Sequence, residues 1–308
     1  MTSRSPLPES LGTAFNVRDG LEAGVGHGRL RGRDLSAPFH GVRAVLAEDV
    51  AARARAFATR MLPHQAFAGR TAARLWGLPL AQRWTAEEPL DVARPHDAYR
   101  SRVKGTREVV VAAGRLTTLE IDGLRVLSPA ATALTLGREL HHEHLVQVVD
   151  ALLTPAKRYP ELRLPREPGA ACMTRAELDD FLRRCAGLSG VVALRAAAAD
   201  ARAGAESRFE TITRLLIVEA GLPEPVVHPS VVVDGIELHP DLGYPELKIA
   251  IEYEGDGHRD EQRWGQDIDR YARLEAAGWI IVRITKADLP RRGARLVERV
   301  ATALARRG

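Results

Sequence analysis

Cysteine is almost missing from this chain: Cys172 and Cys185 are the only two in 308 residues. No Cys-x-x-Cys pair exists, which argues against a zinc knuckle or a disulfide framework. Long apolar runs are missing too. No stretch of ~18 apolar residues occurs, so no membrane span is expected. Met1–Ser10 has no apolar signal core, and a cytoplasmic protein with no membrane partner is the expectation. There are no internal repeats and no glycine-rich phosphate loop. Lysine is scarce, so nearly all the positive charge is arginine.

A hydrophobic content of 45% and a charged content of 27% are those of a soluble globular protein. The length suits two or three domains, each able to bury a core. Net charge is +4 and the isoelectric point about 9.3. Arginine suits bidentate phosphate contacts. An Ala- and Arg-rich composition also follows from a GC-rich genome, so composition alone does not name a nucleic-acid partner.

The most informative stretch runs from Leu238 to His258. Asp241 follows an apolar run from Val231 to Leu238. Gly243 and Pro245 mark a turn, and a second run spans Leu247–Glu254, which together read as a β-hairpin. Strand parity puts Leu247, Ile249, Ile251 and Tyr253 on a core face. Lys248, Ala250, Glu252 and Glu254 share the other face. Acids at successive same-face positions repel, and burying them is costly unless a cation compensates. Two readings follow: a divalent metal site, or a solvated face whose acids pair with arginines. Oxygen-only ligands favour Mg²⁺ or Mn²⁺ over Zn²⁺.

An Asp, a hairpin, then Glu-x-acid-Gly and a nearby His resemble the core of the PD-(D/E)XK nuclease superfamily, in its branch related to the very-short-patch repair (Vsr) endonucleases. The wider pattern continues in order through Glu206–Glu210, Arg214, Gly221-Leu-Pro, Asp267, Arg270 and Gly278–Ile284, over about the last third of the chain. The resemblance implies that Asp241 and Glu252 hold one Mg²⁺ or Mn²⁺ ion together with the Tyr253 carbonyl. It also implies that Glu210, on the first core helix, holds a water or a second ion. The bland alternative for Glu210 is a surface pair with Arg214, four residues on. His258 is either an acid–base group or a surface-loop histidine. Arg270 either approaches the scissile phosphate or pairs with Asp267. Most members carry Lys where this chain has Glu254. Glu254 is therefore expected as a further metal ligand, with Arg270, His258 or, least well placed, Lys248 supplying the missing positive or proton-donating group. Arg283 is expected towards the active-site edge of the sheet.

Upstream, Val17–Gly24 reads as a short helix closed by Gly24, Gly26–Leu35 as a second basic helix carrying Arg29, Arg31 and Arg33, and Pro38–Ala44 as a strand. That order is the order of a winged helix-turn-helix. Its wording resembles the N-terminal domain of AbiEi-type antitoxins, regulators of type IV toxin–antitoxin systems. The three arginines are then expected on DNA phosphates, against the plainer reading of a small domain with solvated arginines. Arg70–Gly77 reads as an amphipathic helix, and Leu90–Ala93, Glu108–Ala112, Leu119–Ile121 and Arg125–Leu127 as strands. Ser128 and Pro129 open another helix. Arg94, Arg100, Arg102, Lys104 and Arg107 cluster about a loop that either tracks a phosphate backbone or is solvated surface. His141, His142 and His144 lack the spacing of helical metal ligands and read as a solvated face.

The expected architecture is α+β. It comprises a winged helix-turn-helix domain (1–61), a middle α/β unit resembling AbiEi proteins (62–153), a linker with helices (154–204) and a restriction-endonuclease-like α/β/α domain with a mixed sheet (205–308). The expected function is a Mg²⁺-dependent endodeoxyribonuclease brought to DNA by its N-terminal half. The rivals are an antitoxin-type regulator with an inactive nuclease-like domain, and a protein-interaction module. A cognate toxin and a homodimer are both left open by the residues.

Overall fold

A computed structural model describes residues 5–45, 49–112, 114–155, 158–159, 162–254 and 261–308, the side chains of 261–268 excepted. The chain is mixed α+β, with mixed sheets and no closed barrel among the described residues. It divides into two compact units. The first comprises Met1–His141, Leu162–Leu164 and Ala176–Arg195; the second comprises His142–Glu161, Pro165–Arg175 and Ala196–Gly308.

In the first unit, β1 (Ala14–Asn16), α1 (Val17–Glu22), β2 (Leu35–Ser36) and β3 (Val42–Val45) form a small antiparallel sheet of order β1-β3-β2 with one helix. Phe15, Val25 and Leu30 are its buried centre. The second basic helix expected over Gly26–Leu35 is instead a single 3-10 turn, Arg29–Arg31. Gly26, Gly28 and Gly32 favour an irregular path over a helix. Arg29 is also drawn onto Asp34, at 3.1 and 2.8 Å, and onto the Ser5 carbonyl.

After α2 (Val50–Ala58), a five-stranded sheet is built from β4 (Ala66–Phe67), β5 (Leu90–Pro95), β6 (Thr106–Val111), β7 (Thr118–Ile121) and β8 (Leu124–Leu127), in the order β6-β5-β4-β8-β7. The pairs β5–β6 and β4–β8 are parallel and the other two antiparallel. Between β4 and β5 comes α3 (Gly69–Trp76). Gly77 ends it in the left-handed conformation, φ 74°, that glycine adopts without a Cβ penalty. The buried Trp76 indole donates to the Leu127 carbonyl at 2.8 Å, tying α3 to β8. Ser128 caps α4 (Pro129–Leu136), as its Ser-Pro start dictates.

The second unit contains α5 (His142–Leu153). Next come α6 (Arg175–Arg184) and α7 (Val191–Asp200), across which the division between units falls. His142 Nε2 lies 2.8 Å from Asp200 on an exposed face. Ser207 caps α8 (Arg208–Glu219), and then follow β9 (Val226–Val227), β10 (Val231–Val233), β11 (Ile236–Leu238), β12 (Leu242–Tyr244), β13 (Ile249–Glu254), α9 (Glu261–Ala276), β14 (Ile280–Thr285) and α10 (Pro290–Ala305). The main sheet runs β14-β13-β12-β9, with β13–β14 parallel and the other pairs antiparallel.

Asp241 does not end the Val231–Leu238 run as expected. That run makes its own hairpin, β10–β11, because Asp234 and Gly235 take the two positive φ values, 50° and 74°, of a two-residue turn. Asp241 instead stands just before β12, whose link to β13 is a 3-10 turn at Pro245–Leu247 followed by left-handed Lys248. The expected core face of β13 is correct for Ile249 and Ile251, which pack with Leu216 and Ile217 of α8 and Leu296 and Val300 of α10. Its other face is not open to water. Ala250 packs with Val231, Val233, Leu238 and Leu274 of α9 in a second cluster. Glu252, on that face, is consequently carried into the interior, whereas Glu254 at the strand end stays part-exposed.

A buried polar pin joins α5 to α8. Asp150, 1% exposed, accepts hydrogen bonds from the Thr211 hydroxyl at 2.8 Å and the Arg202 N–H at 2.7 Å. Arg214, also 1% exposed, lies 3.6 Å from Asp150 and donates to Glu224 at 2.8 Å and to the Asp200 carbonyl at 2.8 Å. Arg214 thus serves Asp150 and Glu224 rather than pairing with Glu210. Burial raises the Asp150 pKa to about 6 even with Arg214 beside it. Arg214→Met is expected to lower the unfolding free energy by about 3 kcal/mol, because it leaves a buried carboxylate without its cation. Urea denaturation measures this, and a loss below about 1 kcal/mol contradicts the pin.

Candidate metal and phosphate site

Two elements of the second unit bring acids together, and a third sets Glu252 across from one of them. Glu210 lies in the first turn of α8, 6% exposed. Its carboxylate accepts from the Glu206 N–H at 2.8 Å and the Ser207 hydroxyl at 2.9 Å, while Ser207 caps its own N–H. Asp241 precedes β12, and its Oδ2 accepts from the Tyr253 N–H at 2.7 Å. Register pairs Leu242 with Ile251, which sets Asp241 beside Glu252 across the two strands. Glu252 is 1% exposed, and Arg270 of α9 donates to its Oε2 at 3.0 Å and to the His239 carbonyl at 3.2 Å.

A fourth group completes the cluster. His228 follows β9, and its N–H donates to the Asp241 carbonyl at 3.0 Å. Its Nε2 lies 3.3 Å from Glu210 Oε2. One ligand atom each from Glu210, His228 and Asp241 fall within 4.8 Å of one another.

Electrostatics follow from burial. Desolvation raises the Glu210 pKa to about 7, outweighing its two hydrogen bonds. Asp241 is raised by desolvation first and by the negative charge of Glu210 second. His228 is lowered by desolvation, which keeps its imidazole neutral. Two carboxylates and a neutral imidazole at this spacing fit a divalent cation, whose charge compensates what burial penalises.

The remaining sequence-predicted residues fall as follows. Tyr253 stacks its ring on Phe209, centroids 4.5 Å apart. Glu254 is part-exposed at the end of β13, 3.8 Å from Arg283, outside the Glu210–His228–Asp241 group. Arg283 also covers the Tyr271 ring at 4.6 Å. Lys248 points its ammonium at the Ala277 carbonyl, at the far end of β13, away from the acids. His258 and the Asp267 side chain lie outside the described residues.

In the first unit, Arg31 and Arg33 are exposed, whereas Arg29 is held by Asp34. The loop cluster is partly neutralised. Arg94 and Arg100 bond Glu108, and Arg107 bonds Asp91 and Glu139. Arg102 and Lys104 line a cavity of about 930 Å³ with Arg53, Arg60 and His40.

No protein-family model matches the chain. Two proteins of Mycobacterium tuberculosis are similar to it: uncharacterized protein MT2308 of strain CDC 1551 / Oshkosh and uncharacterized protein Rv2248 of strain ATCC 25618 / H37Rv. Each is 29% identical over 188 residues, covering 60% of this chain. The matched part spans 64% of the length of those relatives. Among solved structures, the crystal structure of RV2827C protein from Mycobacterium tuberculosis aligns at a TM-score of 0.40 and 16% identity, over 71% of this chain and 83% of that one.

His228 was not legible beforehand. It stands thirteen residues before Asp241, outside the hairpin motif, in the segment before β10. Only the pairing of β9 with β12, Val227 opposite Leu242, brings it to the acids.

The raised carboxyl pKa values set a sign for stability against pH. Glu210 and Asp241 hold protons more tightly folded than unfolded. Between the ordinary carboxylate range and about pH 7 the folded state therefore binds more protons, and their contribution to stability falls as pH rises. His228 acts in the opposite sense, lowering stability as pH drops below its ordinary value. Asp241→Asn preserves an acceptor for the Tyr253 N–H but removes the charge. In metal-free buffer it is expected to stabilise the protein by roughly 2 kcal/mol near pH 8, with the gain vanishing near pH 4. Melting curves across that range test it, and a gain that grows towards acid pH contradicts it.

Proposed function

We propose that the second unit is a metal-dependent DNA endonuclease of the PD-(D/E)XK superfamily, similar to its Vsr-like branch, and that the first unit carries it to DNA. The observation that carries this reading is the gathering of Glu210 from α8 and Asp241 at β12 with His228, while the register sets Glu252 of β13, held by Arg270 of α9, across from Asp241. A mixed sheet with apolar clusters on both faces suits the α/β/α layout that the superfamily implies.

A divalent cation bound here supplies charge for the phosphate and acidifies the attacking water. The protein side of the reaction follows from the residues. The Tyr253 N–H fixes the Asp241 carboxylate, and Glu206 N–H and Ser207 fix that of Glu210, so neither needs to reorganise during turnover. Burial holds the Glu210 pKa up at about 7, so a bound divalent cation, which favours the carboxylate form, would compete with its proton. Arg270 is part-exposed and 3.0 Å from Glu252, so it offers a cation beside that acid for a phosphate oxygen to meet. Glu254, where most superfamily members have Lys, cannot itself stabilise developing negative charge.

That last feature favours a second reading, an antitoxin-type regulator whose nuclease-like domain is inactive. The Arg270–Glu252 ion pair is consistent with it, because it satisfies one acid without a metal. Supercoiled plasmid incubated with Mg²⁺ or Mn²⁺ separates the two. Nicking or linearisation is expected for the wild type, with Asp241→Asn and Glu252→Gln inert at unchanged fold. A wild type inert with both ions on a range of DNA substrates favours the regulator. Glu254→Lys raising the rate marks the wild-type site as compromised.

For DNA delivery we infer phosphate contacts by Arg31, Arg33, Arg102 and Lys104, the members of the two basic groups not bonded to carboxylates in the ion pairs above. Alanine at Arg31 and Arg33 is expected to reduce the salt slope of duplex binding by about one unit each. Arg29→Ala is expected to lose stability instead, through Asp34. Equal slopes for wild type and the Arg31/Arg33 variant contradict this assignment.

A further inference from the structure

His228 belongs to the cluster with Glu210 and Asp241, and the nuclease-like sequence pattern does not contain it. Its backbone sits at φ 47°, a region that residues with a Cβ seldom enter. The conformation is held by its N–H bond to the Asp241 carbonyl. The imidazole is covered, with 7% of the side chain exposed. Neither Nδ1 nor Nε2 has a hydrogen-bond partner among the described residues. Buried polar groups are nearly always satisfied, so a ring nitrogen left without a partner points to a group that is to be bound.

The surroundings say what kind of group. Glu210 Oε2 lies 3.3 Å from Nε2, and Glu206 Oε1 lies at 3.6 Å, neither in a hydrogen bond with the ring. Asp241 completes a set of ligand atoms within 4.8 Å of one another. An anion is excluded by three carboxylates. A cation is favoured by all of them, and a neutral imidazole adds a lone pair.

We propose that this is a mixed nitrogen–oxygen metal site in which His228 is a direct ligand beside Glu210 and Asp241, selecting a first-row transition ion over Mg²⁺. The inference deepens the metal-site reading above and rests on it. Mg²⁺ takes oxygen ligands almost exclusively and keeps much of its water. Imidazole is a softer donor, and its affinity rises along the first transition row. The oxygen-only expectation from the hairpin motif, which made Mg²⁺ and Mn²⁺ equivalent, is thereby replaced by a preference.

The full-length chain is titrated with Mn²⁺ and with Mg²⁺ by calorimetry, and the Mn²⁺ complex is examined by pulsed EPR. The wild type is expected to bind Mn²⁺ at least about tenfold more tightly than Mg²⁺ and to show nitrogen modulation from one ligated imidazole. His228→Gln is expected to weaken Mn²⁺ binding by about tenfold or more, leaving Mg²⁺ affinity within about threefold, and to lose the nitrogen signal. The spectroscopy on wild type needs no variant, so an unfolded His228→Gln does not block the test. Absence of metal binding, equal affinities for the two ions, or a Mn²⁺ complex without nitrogen coupling overturns the proposal. The nuclease reading fails separately: a nitrogen-ligated Mn²⁺ complex that cleaves no DNA removes the nuclease and keeps the site. Cleavage supported by Mg²⁺ with no nitrogen coupling to Mn²⁺ does the reverse.

Discussion

Carboxylates brought under cover at one edge of a sheet constrain the whole second unit. Glu210 and Glu252 are almost fully buried, and Asp241 is close enough to Glu210 for each charge to oppose the other. Such an arrangement is unfavourable unless neighbouring groups hold it in place. The capping turn at Ser207, the ladder between β12 and β13 and the Arg270 pair all act on these oxygens. Apolar packing on both faces of β13 supplies the stabilisation that lets the acids remain there. A cation at the Glu210–His228–Asp241 group, as proposed above, would relieve this repulsion.

The Asp150–Arg214 pin has the opposite character. Its charges are of opposite sign, its oxygens accept from Thr211 and Arg202, and its position between α5 and α8 links elements rather than opening to a ligand. The comparison clarifies why burial alone does not identify a site. Asp150 is as buried as Glu252, but its partners satisfy it. Glu210 and Asp241 are instead arranged around His228, whose ring nitrogens have no hydrogen-bond partner among the described residues.

In the first unit, basic residues that look equivalent along the chain divide into two groups. Arg29, Arg94, Arg100 and Arg107 are bonded to carboxylates, so their charge is already answered. Arg31 and Arg33 are exposed, and Arg102 and Lys104 border the large basic cavity. A phosphate backbone would meet the second group first, because breaking an existing bidentate pair adds a cost to every contact.

Local chemistry made several features legible in the sequence alone. Ser128-Pro129 announced a capped helix and Gly77 its neighbour's end, because each depends on one or two residues' backbone preferences. Strand parity likewise put Ile249 and Ile251 in a core and Glu252 on the reverse face. What strand parity left open was whether that reverse face met water. Only the packing of α9 and the β10–β11 hairpin over Ala250 decided that it does not. The basic segment at Gly26–Leu35 carried helical expectations that three glycines and the Arg29–Asp34 bond overrode. His228 and the partner of Arg214 were decided by tertiary structure for the same reason. Their neighbours lie far away in sequence, and a pairing between β9 and β12, or a helix laid across another, has no periodicity that a single chain of letters can display.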